Sequence, residues 1–497
     1  MHAVTGDASG ACLAQEFLLP FTGAPVFDHR SSANQKILMG KEFSIVPRTV
    51  PRVETPHRRV VTQLPHPESV PTLEKLRTFE PISMRGQPPL VWERAEGIFV
   101  YDKYGNQWID WSSGVLVTNA GHAAPEICQA IVDQVTSRLL HSYVFPNEER
   151  AALAECLAGV APEGLKKVFL LTTGSEATEC AIKLSRSHGI KVGGRKKIGI
   201  VGFERGFHGR TLGSQQAGGM AGQKTWIVNE DPAIVTAPFP DGYWQTDVSF
   251  ETFLATLEQR GLKPEHVAGV LMETYQGVGP DFAPVEYVRR MAEWCRKHQV
   301  VLVFDEVQAG FGRTGKFWAF EHYGVTPDVI CCGKGISSSL PLSAVIGRAE
   351  IMDQFGPGSM TSTHTGNPVC CAAALASVSK IIREDLTGNA AKLEKPLLDG
   401  LKRIHAKHPE VIGHVTARGL VGGMQTVKRG LKEPDHDLAH SIIERCFHQG
   451  LLLFAPVGAW GQTVKIAPPL TITRAAMDEG IAVLEQATDE AVAELRG

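Results

Sequence analysis

The sequence predicts an α/β fold in which helices cover both faces of a mostly parallel central sheet, with a smaller α+β domain beside it. Near-continuous apolar runs alternate with helical patterns, which is typical of parallel strands buried on both sides. These runs end in a polar residue or a glycine, and they lie at 167–176, 197–209, 269–274, 300–306 and 328–335. After about residue 370 the pattern changes to helices and shorter strands, which indicates the second domain.

Taken in chain order, residues 1–70 are rich in proline and lack periodicity, so we expect an irregular N-terminal extension. The pattern GIFVYDKYGNQWID predicts a β-hairpin, and we assign residues 71–120 to the N-terminal part of the small domain. The strand–helix alternation defines a large domain at 121–370. Residues 371–497 then form the C-terminal part of the small domain.

Composition excludes several classes of function. The chain has 497 residues, of which 43% are hydrophobic and 21% are charged, as expected for a soluble globular protein. A formal net charge of -3 offers no basic surface for nucleic acid. The ten cysteines form no CxxC motif, so we predict neither a disulfide framework nor a metal site. We find no membrane span and no basic, apolar signal segment, and we expect a cytoplasmic protein without a membrane partner.

A lysine between two glycines, Lys334, raises the question of mechanism. A loop lysine reaching for solvent is one interpretation. A phosphate-binding P-loop is excluded, because Asp328 and Gly335 stand where that motif requires a glycine and a Ser or Thr. The third interpretation is a Schiff-base lysine, whose amine is activated by partial desolvation.

Several chemically useful side chains follow predicted strands directly. In parallel α/β sheets the site lies beyond the carboxyl ends of the strands, so one topology would gather these side chains at one edge. They are Ser175, Phe207, His208, Glu273, Asp305, Gln308 and Lys334.

Three of these positions have both a functional and a structural interpretation. Gly174 and Ser175 open a helix whose free N–H groups suit a phosphate, although Ser175 can equally be a simple N-cap. Asp305 ends a buried strand and needs a partner, which is either a protonated pyridine nitrogen, Arg313 or the N-terminus of the next helix. Phe207 can stack on a planar ring or belong to the core.

From about Gly97 to the C-terminus, the chain resembles the class III, ω-amino-acid type, pyridoxal-phosphate-dependent aminotransferases of fold type I. The matching stretches occur in the same order along the chain. They are GIFVYDKYGNQWID, GHAAPEICQAI, TTGSEATECAIKLSR, FHGRT, VFDEVQAGFGRTG, GKGISSSLPLSAVIG, THTGNP and VKIAPPL.

The resemblance implies a role for each matched position. Lys334 would form the aldimine with pyridoxal 5'-phosphate and move the substrate proton, and Asp305 would pair with the pyridine nitrogen. Gln308 would lie near the ring hydroxyl, and Phe207 would stack on the ring with His208 beside it.

The remaining cofactor contacts involve the phosphate and a second subunit. Gly174 and Ser175 would hold the phosphate together with Thr363 of the neighbouring subunit, so the resemblance implies a homodimer. Glu273 would support the site from below.

Two positions concern the substrate. Arg418 matches an arginine that the resemblance assigns to a substrate carboxylate, and a surface arginine is the alternative. Val278 stands where members that alternate between an ω-amino acid and glutamate often carry a second glutamate. A valine cannot pair with an arginine, so a GABA- or ornithine-type exchange does not follow directly from the resemblance.

The predicted reaction moves an amino group from an amino acid or ω-amino compound to a 2-oxo acid, through the Lys334 aldimine and pyridoxamine phosphate. Racemases or epimerases, ammonia- or phospho-lyases and decarboxylases of the same family remain alternatives, because spacing does not reveal which substrate bond breaks. A catalytically silent binding protein would be expected to lack Lys334 or Asp305. The absence of a G-x-G-x-x-G motif after a strand argues against a nicotinamide dehydrogenase.

Overall fold

The computed structural model describes residues 41–495. Residues 1–40 of the predicted N-terminal extension therefore lie outside the described residues. Within residues 41–70, two short strands at 53–54 and 59–60 pair with each other, and the second also pairs with the strand at 107–110.

The strands and helices are numbered in chain order. The strands are β1 (Val53–Glu54), β2 (Arg59–Val60), β3 (Arg94–Glu96), β4 (Phe99–Tyr101), β5 (Gln107–Asp110), β6 (Lys167–Leu171), β7 (Gly199–Phe203), β8 (Ile234–Ala237), β9 (Val267–Glu273), β10 (Val301–Asp305), β11 (Val329–Cys332), β12 (Ser343–Gly347), β13 (Ile412–Arg418), β14 (Val421–Thr426), β15 (Leu451–Leu452) and β16 (Thr463–Ile466). The helices are α1 (Val70–Phe79), α2 (Ser113–Leu116), α3 (Pro125–Thr136), α4 (Glu148–Val160), α5 (Gly174–Gly193), α6 (Leu212–Ala217), α7 (Glu251–Gln259), α8 (Val285–Lys297), α9 (Ala349–Met352), α10 (Pro368–Arg383), α11 (Leu386–Lys407), α12 (His436–His448) and α13 (Arg474–Glu494).

The central sheet has seven strands in the order β6-β12-β11-β10-β9-β7-β8. The five strands from β11 to β8 are parallel to one another. Strand β12 is antiparallel to both of its neighbours, and β6 is joined to the sheet only through β12, with Leu171 opposite Ser343. The prediction of a mostly parallel sheet is confirmed, while the reversal at β12 was not predicted.

Alternate residues of β10 pack into two different apolar clusters. Leu302 and Phe304 belong to a large cluster that extends into the C-terminal helices, and Val301 and Val303 face a smaller cluster under α5. A strand residue and its successor point to opposite faces, so this division shows that the sheet is buried on both sides. The near-continuous apolar runs in the sequence have this cause.

Two further sheets join distant parts of the chain. One has six strands, with β15 added in parallel to β5, so that a segment near residue 451 pairs with one near residue 109. The other contains β13, β14 and β16. Among the helices of residues 41–495, none is long and apolar enough to cross a bilayer.

The register of the central sheet brings the ends of three strands together. Asp305 at the end of β10 stands opposite Glu273 at the end of β9 and Cys331 of β11. Lys334 follows two residues after β11. The carboxyl edge of the sheet therefore carries two acids and a lysine within a few residues of the strand ends.

Candidate active site

A cavity of about 360 Å³ opens at the carboxyl edge of the central sheet. Eight of the ten predicted site residues line it, and they come from five separate segments of the chain. These eight are Gly174, Ser175, Phe207, His208, Glu273, Asp305, Gln308 and Lys334. Thr363 and Arg418 are not among the lining residues.

The first turn of α5 forms one end of the cavity. Thr173 caps this helix with its hydroxyl, which accepts a hydrogen bond from the Glu176 N–H at 3.2 Å, while the Glu176 carboxylate accepts from the Thr173 N–H at 2.9 Å. This reciprocal cap orients the first turn, whose remaining N–H groups and positive dipole end suit an anion. The N-cap is thus Thr173, so Ser175 lies inside the helix and its hydroxyl is not the cap.

Glycines keep this end of the cavity open. A Cβ on Gly209 would lie 2.2 Å from the Ser175 hydroxyl oxygen, and the backbone there has a φ of +135°. A Cβ on Gly174 would lie 2.9 Å from Cγ1 of Val307. Side chains at either position would fill the space in front of the helix, so this end of the cavity requires glycine at both positions.

Asp305 pairs with His208 and not with Arg313. Its Oδ2 accepts a hydrogen bond from His208 Nδ1 at 2.8 Å, and its Oδ1 accepts from the Val307 N–H at 3.0 Å. Burial alone would lower the pKa of His208, but the hydrogen bond and charge of Asp305, together with the charge of Glu273, raise it. The guanidinium of Arg313 instead bonds to the carbonyls of Leu420 and Pro468 and to other groups.

Glu273 ties the loop after β7 to the loop after β9. Its two carboxylate oxygens accept hydrogen bonds from the N–H groups of Phe207 and Gly277, each at 2.9 Å. Burial raises the pKa of Glu273 to about 7, with a further contribution from the charge of Asp305. The carboxylate thereby fixes the backbone of Phe207, whose ring faces the cavity.

Lys334 lies at the start of a short 3-10 turn and has a φ of +45°. A Cβ on the next residue, Gly335, would lie 2.5 Å from the amide nitrogen of Asn119, so only glycine allows this close approach. Burial lowers the pKa of Lys334, and the charges of Asp305 and Glu273 oppose that shift. No hydrogen bond joins its amine to another side chain of residues 41–495, so the amine is free to react with a carbonyl.

Together these groups fit a planar aromatic ligand that carries a phosphate, a carbonyl and a basic ring nitrogen. The comparison with known families agrees, because residues 82–488 match the class III aminotransferases. The chain belongs to the class III aminotransferase family. Members of this family depend on pyridoxal phosphate and use an amino donor and a 2-oxo acid. The prediction of a pyridoxal-phosphate-dependent aminotransferase is confirmed.

Similar proteins cover four-fifths or more of this aminotransferase. The 4-aminobutyrate aminotransferase of Mycobacterium leprae is 33% identical over 442 residues, which is 86% of this chain and 97% of the relative. The 5-aminovalerate aminotransferase of Pseudomonas putida is 32% identical over 406 residues, covering 80% of this chain and 93% of the relative. A Bacillus anthracis aminotransferase structure has a TM-score of 0.76 at 30% identity and covers 85% of this chain and 99% of that one.

The structure also reveals a second lysine at this aminotransferase's site, which sequence reasoning missed. Lys465 lies in the fully buried strand β16, and its amine donates to the Gly277 carbonyl and, at 2.8 Å, to Gln308 Oε1. Burial lowers its pKa to about 7. A charged residue inside the apolar stretch VKIAPPL was the available signal, because an unpaired buried lysine is costly.

The other two predicted residues lie elsewhere in the chain. Thr363 is exposed on the turn before α10. Arg418 ends β13, and its guanidinium lies 4.6 Å from the ring centroid of Phe282. The phosphate contact from a neighbouring subunit and the carboxylate contact of Arg418 both stay predictions. Val278 is half-buried in the loop after β9.

Proposed function

We propose that this aminotransferase binds pyridoxal 5'-phosphate in the Lys334 cavity and transfers an amino group from an ω-amino carboxylate or a related amino compound to a 2-oxo acid. The observation that carries the proposal is that the free Lys334 amine, the Asp305–His208 pair and the first turn of α5 line one cavity. The names of the relatives support an ω-amino donor. Val278 indicates that this enzyme accommodates the carboxylates of its donor and acceptor in a different way from family members that carry a glutamate at this position.

The residues divide the work between binding and proton transfer. When bound, the cofactor withdraws electrons from the substrate carbon through its ring. Asp305 would hold a proton on the ring nitrogen, and His208 would keep that carboxylate oriented. The N–H groups at Gly174 and Ser175 would bind the phosphate, and Phe207 would contact the ring face.

Lys334 has two tasks in this proposal. Its amine would hold the cofactor covalently and, once a substrate amine has displaced it, would accept the proton from the substrate carbon. Burial favours the neutral amine, which is the form that attacks a carbonyl and accepts a proton. The flexible Lys334 side chain, next to the reacting carbon, is sufficient for both covalent attachment and proton transfer.

We further propose a homodimer in which Thr363 contacts the phosphate in the partner's site. An exposed apolar surface supports this assembly, since large patches of this kind mark interaction sites. It comprises residues of α3 and the segment that follows, namely Val132, Val135, Leu139, Leu140, Val144 and Phe145. The Tyr143 hydroxyl bonds to Thr361 at 3.0 Å, which connects this surface to the turn that carries Thr363.

The nine cysteines within residues 41–495 are all free thiols. Free thiols are typical of a reducing compartment, so we propose that the enzyme works in the cytoplasm.

The test is the near-ultraviolet and visible absorbance of the purified enzyme during titration with a panel of amino donors, without an acceptor. One donor should convert the band of the lysine-bound cofactor into a stable amine band, and a 2-oxo acid should reverse the change. Lys334→Ala should still fold and retain cofactor through its phosphate, but lose the covalent band and nearly all turnover.

Two results would contradict the proposal. Full activity of Lys334→Ala would remove the assigned role of this lysine. A band that survives every donor, accompanied by ammonia release or racemisation, would indicate a different reaction on the same cofactor.

A further inference from the structure

Lys465 is the one lysine of β16, and its side chain is almost completely buried. It does not line the cavity itself, because Gln308 stands between its amine and the cavity. Its amine also lies 5.5 Å from the ring centroid of Tyr275, and the Tyr275 hydroxyl donates to the Gln308 backbone carbonyl at 3.4 Å. Lys465 thus contacts the wall of the site from behind.

The contact decides which way the Gln308 amide faces. The amine donates to Gln308 Oε1 at 2.8 Å, so the amide oxygen must point towards the lysine. Orientation of a glutamine amide is set by its hydrogen-bond network, and here the partner is a donor. The amide nitrogen then remains available, and no hydrogen bond occupies it within residues 41–495.

Close packing prevents the amide from turning over at low cost. A Cβ on Gly277 would lie 2.4 Å from Gln308 Nε2 and 2.8 Å from Oε1, so the amide rests directly on the Gly277 backbone. The Gly277 carbonyl accepts from the same Lys465 amine. A flipped amide would bring its N–H groups against the lysine donors and leave two buried donors opposed.

We propose that Lys465 is a positioning residue, which holds the Gln308 amide so that its nitrogen donates a hydrogen bond to an oxygen of the ring bound in the cavity. The inference rests on the proposed function, in which that oxygen is the ring hydroxyl of pyridoxal phosphate. A hydrogen-bond donor at this oxygen would stabilise the anionic form of the oxygen, so loss of the donor should raise the pH at which the bound cofactor titrates.

The charge state of Lys465 decides how firmly this arrangement is held. Burial lowers its pKa to about 7, Glu273 and Asp281 act to raise it, and Lys334 and Arg313 act to lower it further. The ammonium carries donors only, so the amide oxygen must face it. The neutral amine keeps two N–H donors, one each for the Gly277 carbonyl and Gln308 Oε1, but its lone pair no longer opposes a flipped amide. The amide is therefore held most firmly below the pKa of Lys465.

A double-mutant cycle between Lys465 and Gln308 tests the proposal. The readout is the pH midpoint of the absorbance change of the cofactor-loaded protein, together with pyridoxal phosphate affinity measured by equilibrium dialysis. Lys465→Met should raise the midpoint by about one pH unit and weaken affinity by roughly three- to tenfold. In a Gln308→Ala background, the same substitution should have less than about half of either effect, because the two residues act as one unit.

Two further variants serve as controls. Lys465→Arg keeps a donor at this position and should restore most of the wild-type midpoint. Lys197→Met removes another buried lysine, whose amine donates to the His298 carbonyl at 2.8 Å at the opposite end of the sheet, and should leave the midpoint unchanged. If Lys465→Met does not fold, Lys465→Gln can be used in the same cycle.

The outcomes separate this inference from the proposed function. An equal midpoint shift with and without Gln308 would mean that Lys465 acts by its own charge, and the positioning role would be wrong. The same conclusion follows if Lys465→Met leaves both readouts unchanged. In either case the loss of the covalent band in Lys334→Ala would still support the function.

Discussion

Replacing Arg313 by methionine removes a buried cross-link while preserving most of the side-chain volume. The guanidinium is fully buried, and it donates to the carbonyls of Leu420 and Pro468 at 2.9 and 2.5 Å and to the amide oxygen of Asn119 at 2.7 Å. These acceptors lie in three separate segments of the chain. Asn119 in turn contacts Gly335, the neighbour of Lys334.

The expected loss follows from these bonds. Each charged hydrogen bond contributes about 1.5–3 kcal/mol, so three of them give a gross loss of about 4–9 kcal/mol. Burial lowers the pKa of Arg313 to about 10, a shift that corresponds to a desolvation cost of about 3 kcal/mol, which methionine would not incur. We therefore expect a net destabilisation of about 3 kcal/mol.

Thermal unfolding measures this change. With an unfolding entropy of about 2.1 cal/mol/K per residue, a chain of 497 residues has an unfolding entropy of about 1 kcal/mol/K, so the Tm should fall by about 3 °C. The control is Arg383→Met, which removes an exposed arginine paired with Glu126 and should leave the Tm unchanged. A Tm for Arg313→Met within the error of this control would refute the reasoning.

Two further predictions concern the site. Asp305→Asn keeps the shape but removes the negative charge that raises the pKa of His208 and replaces one carboxylate oxygen by an NH2 group, so that pKa should fall when it is measured by histidine NMR. A group whose pKa is raised in the folded state stabilises the protein most below its unfolded pKa, which is 6.5 for histidine. The stability lost in the variant should therefore be largest below pH 6.5 and should shrink as the pH rises through the folded-state pKa of His208. A loss of stability that does not depend on pH would contradict the assignment. If Arg418 binds a carboxylate, Arg418→Ala should lower kcat/KM for carboxylated donors by about tenfold or more and leave kcat/KM for simple amines unchanged. Equal losses of kcat/KM for both substrate classes would instead mean that Arg418 supports Phe282.

The positions of site residues along the chain were predictable because strand ends are visible in the sequence. The strands end at Leu171, Phe203, Glu273, Asp305 and Cys332, and residues at or just beyond each of these ends line the cavity. The rule that parallel strands gather their carboxyl ends at one edge was sufficient to predict this grouping.

Partners across the site were not predictable in the same way. Asp305 had Arg313 as a sequence-based alternative partner, and the two are close in sequence. In the structure β10 continues into a loop that carries Arg313 away towards Pro468, while the loop after β7 brings His208 to Asp305. Which loops meet depends on the order of strands in the sheet, and that order leaves no local pattern in the sequence.

The reversed strand and the second lysine escaped prediction for related reasons. β12 has the same apolar character as the parallel strands of its sheet, and the direction of a strand within a fully buried sheet does not change that character. Lys465 is identified as a partner of Gln308 only after β16 and β10 are placed in space. A long-range contact between two ordinary segments has no signature within either of them.

The single attachment of β6 to the sheet has a consequence for how the chain folds during synthesis. Because β6 pairs only with β12, the strand that leads into the helix start at Gly174 has no strand partner until the residues around Ser343 have left the ribosome. At about 5–20 residues per second this interval is roughly 10–30 s. The strand before the phosphate-binding turn is therefore paired only when β12, the last strand of the central sheet in chain order, has been made, and the sheet closes at that point.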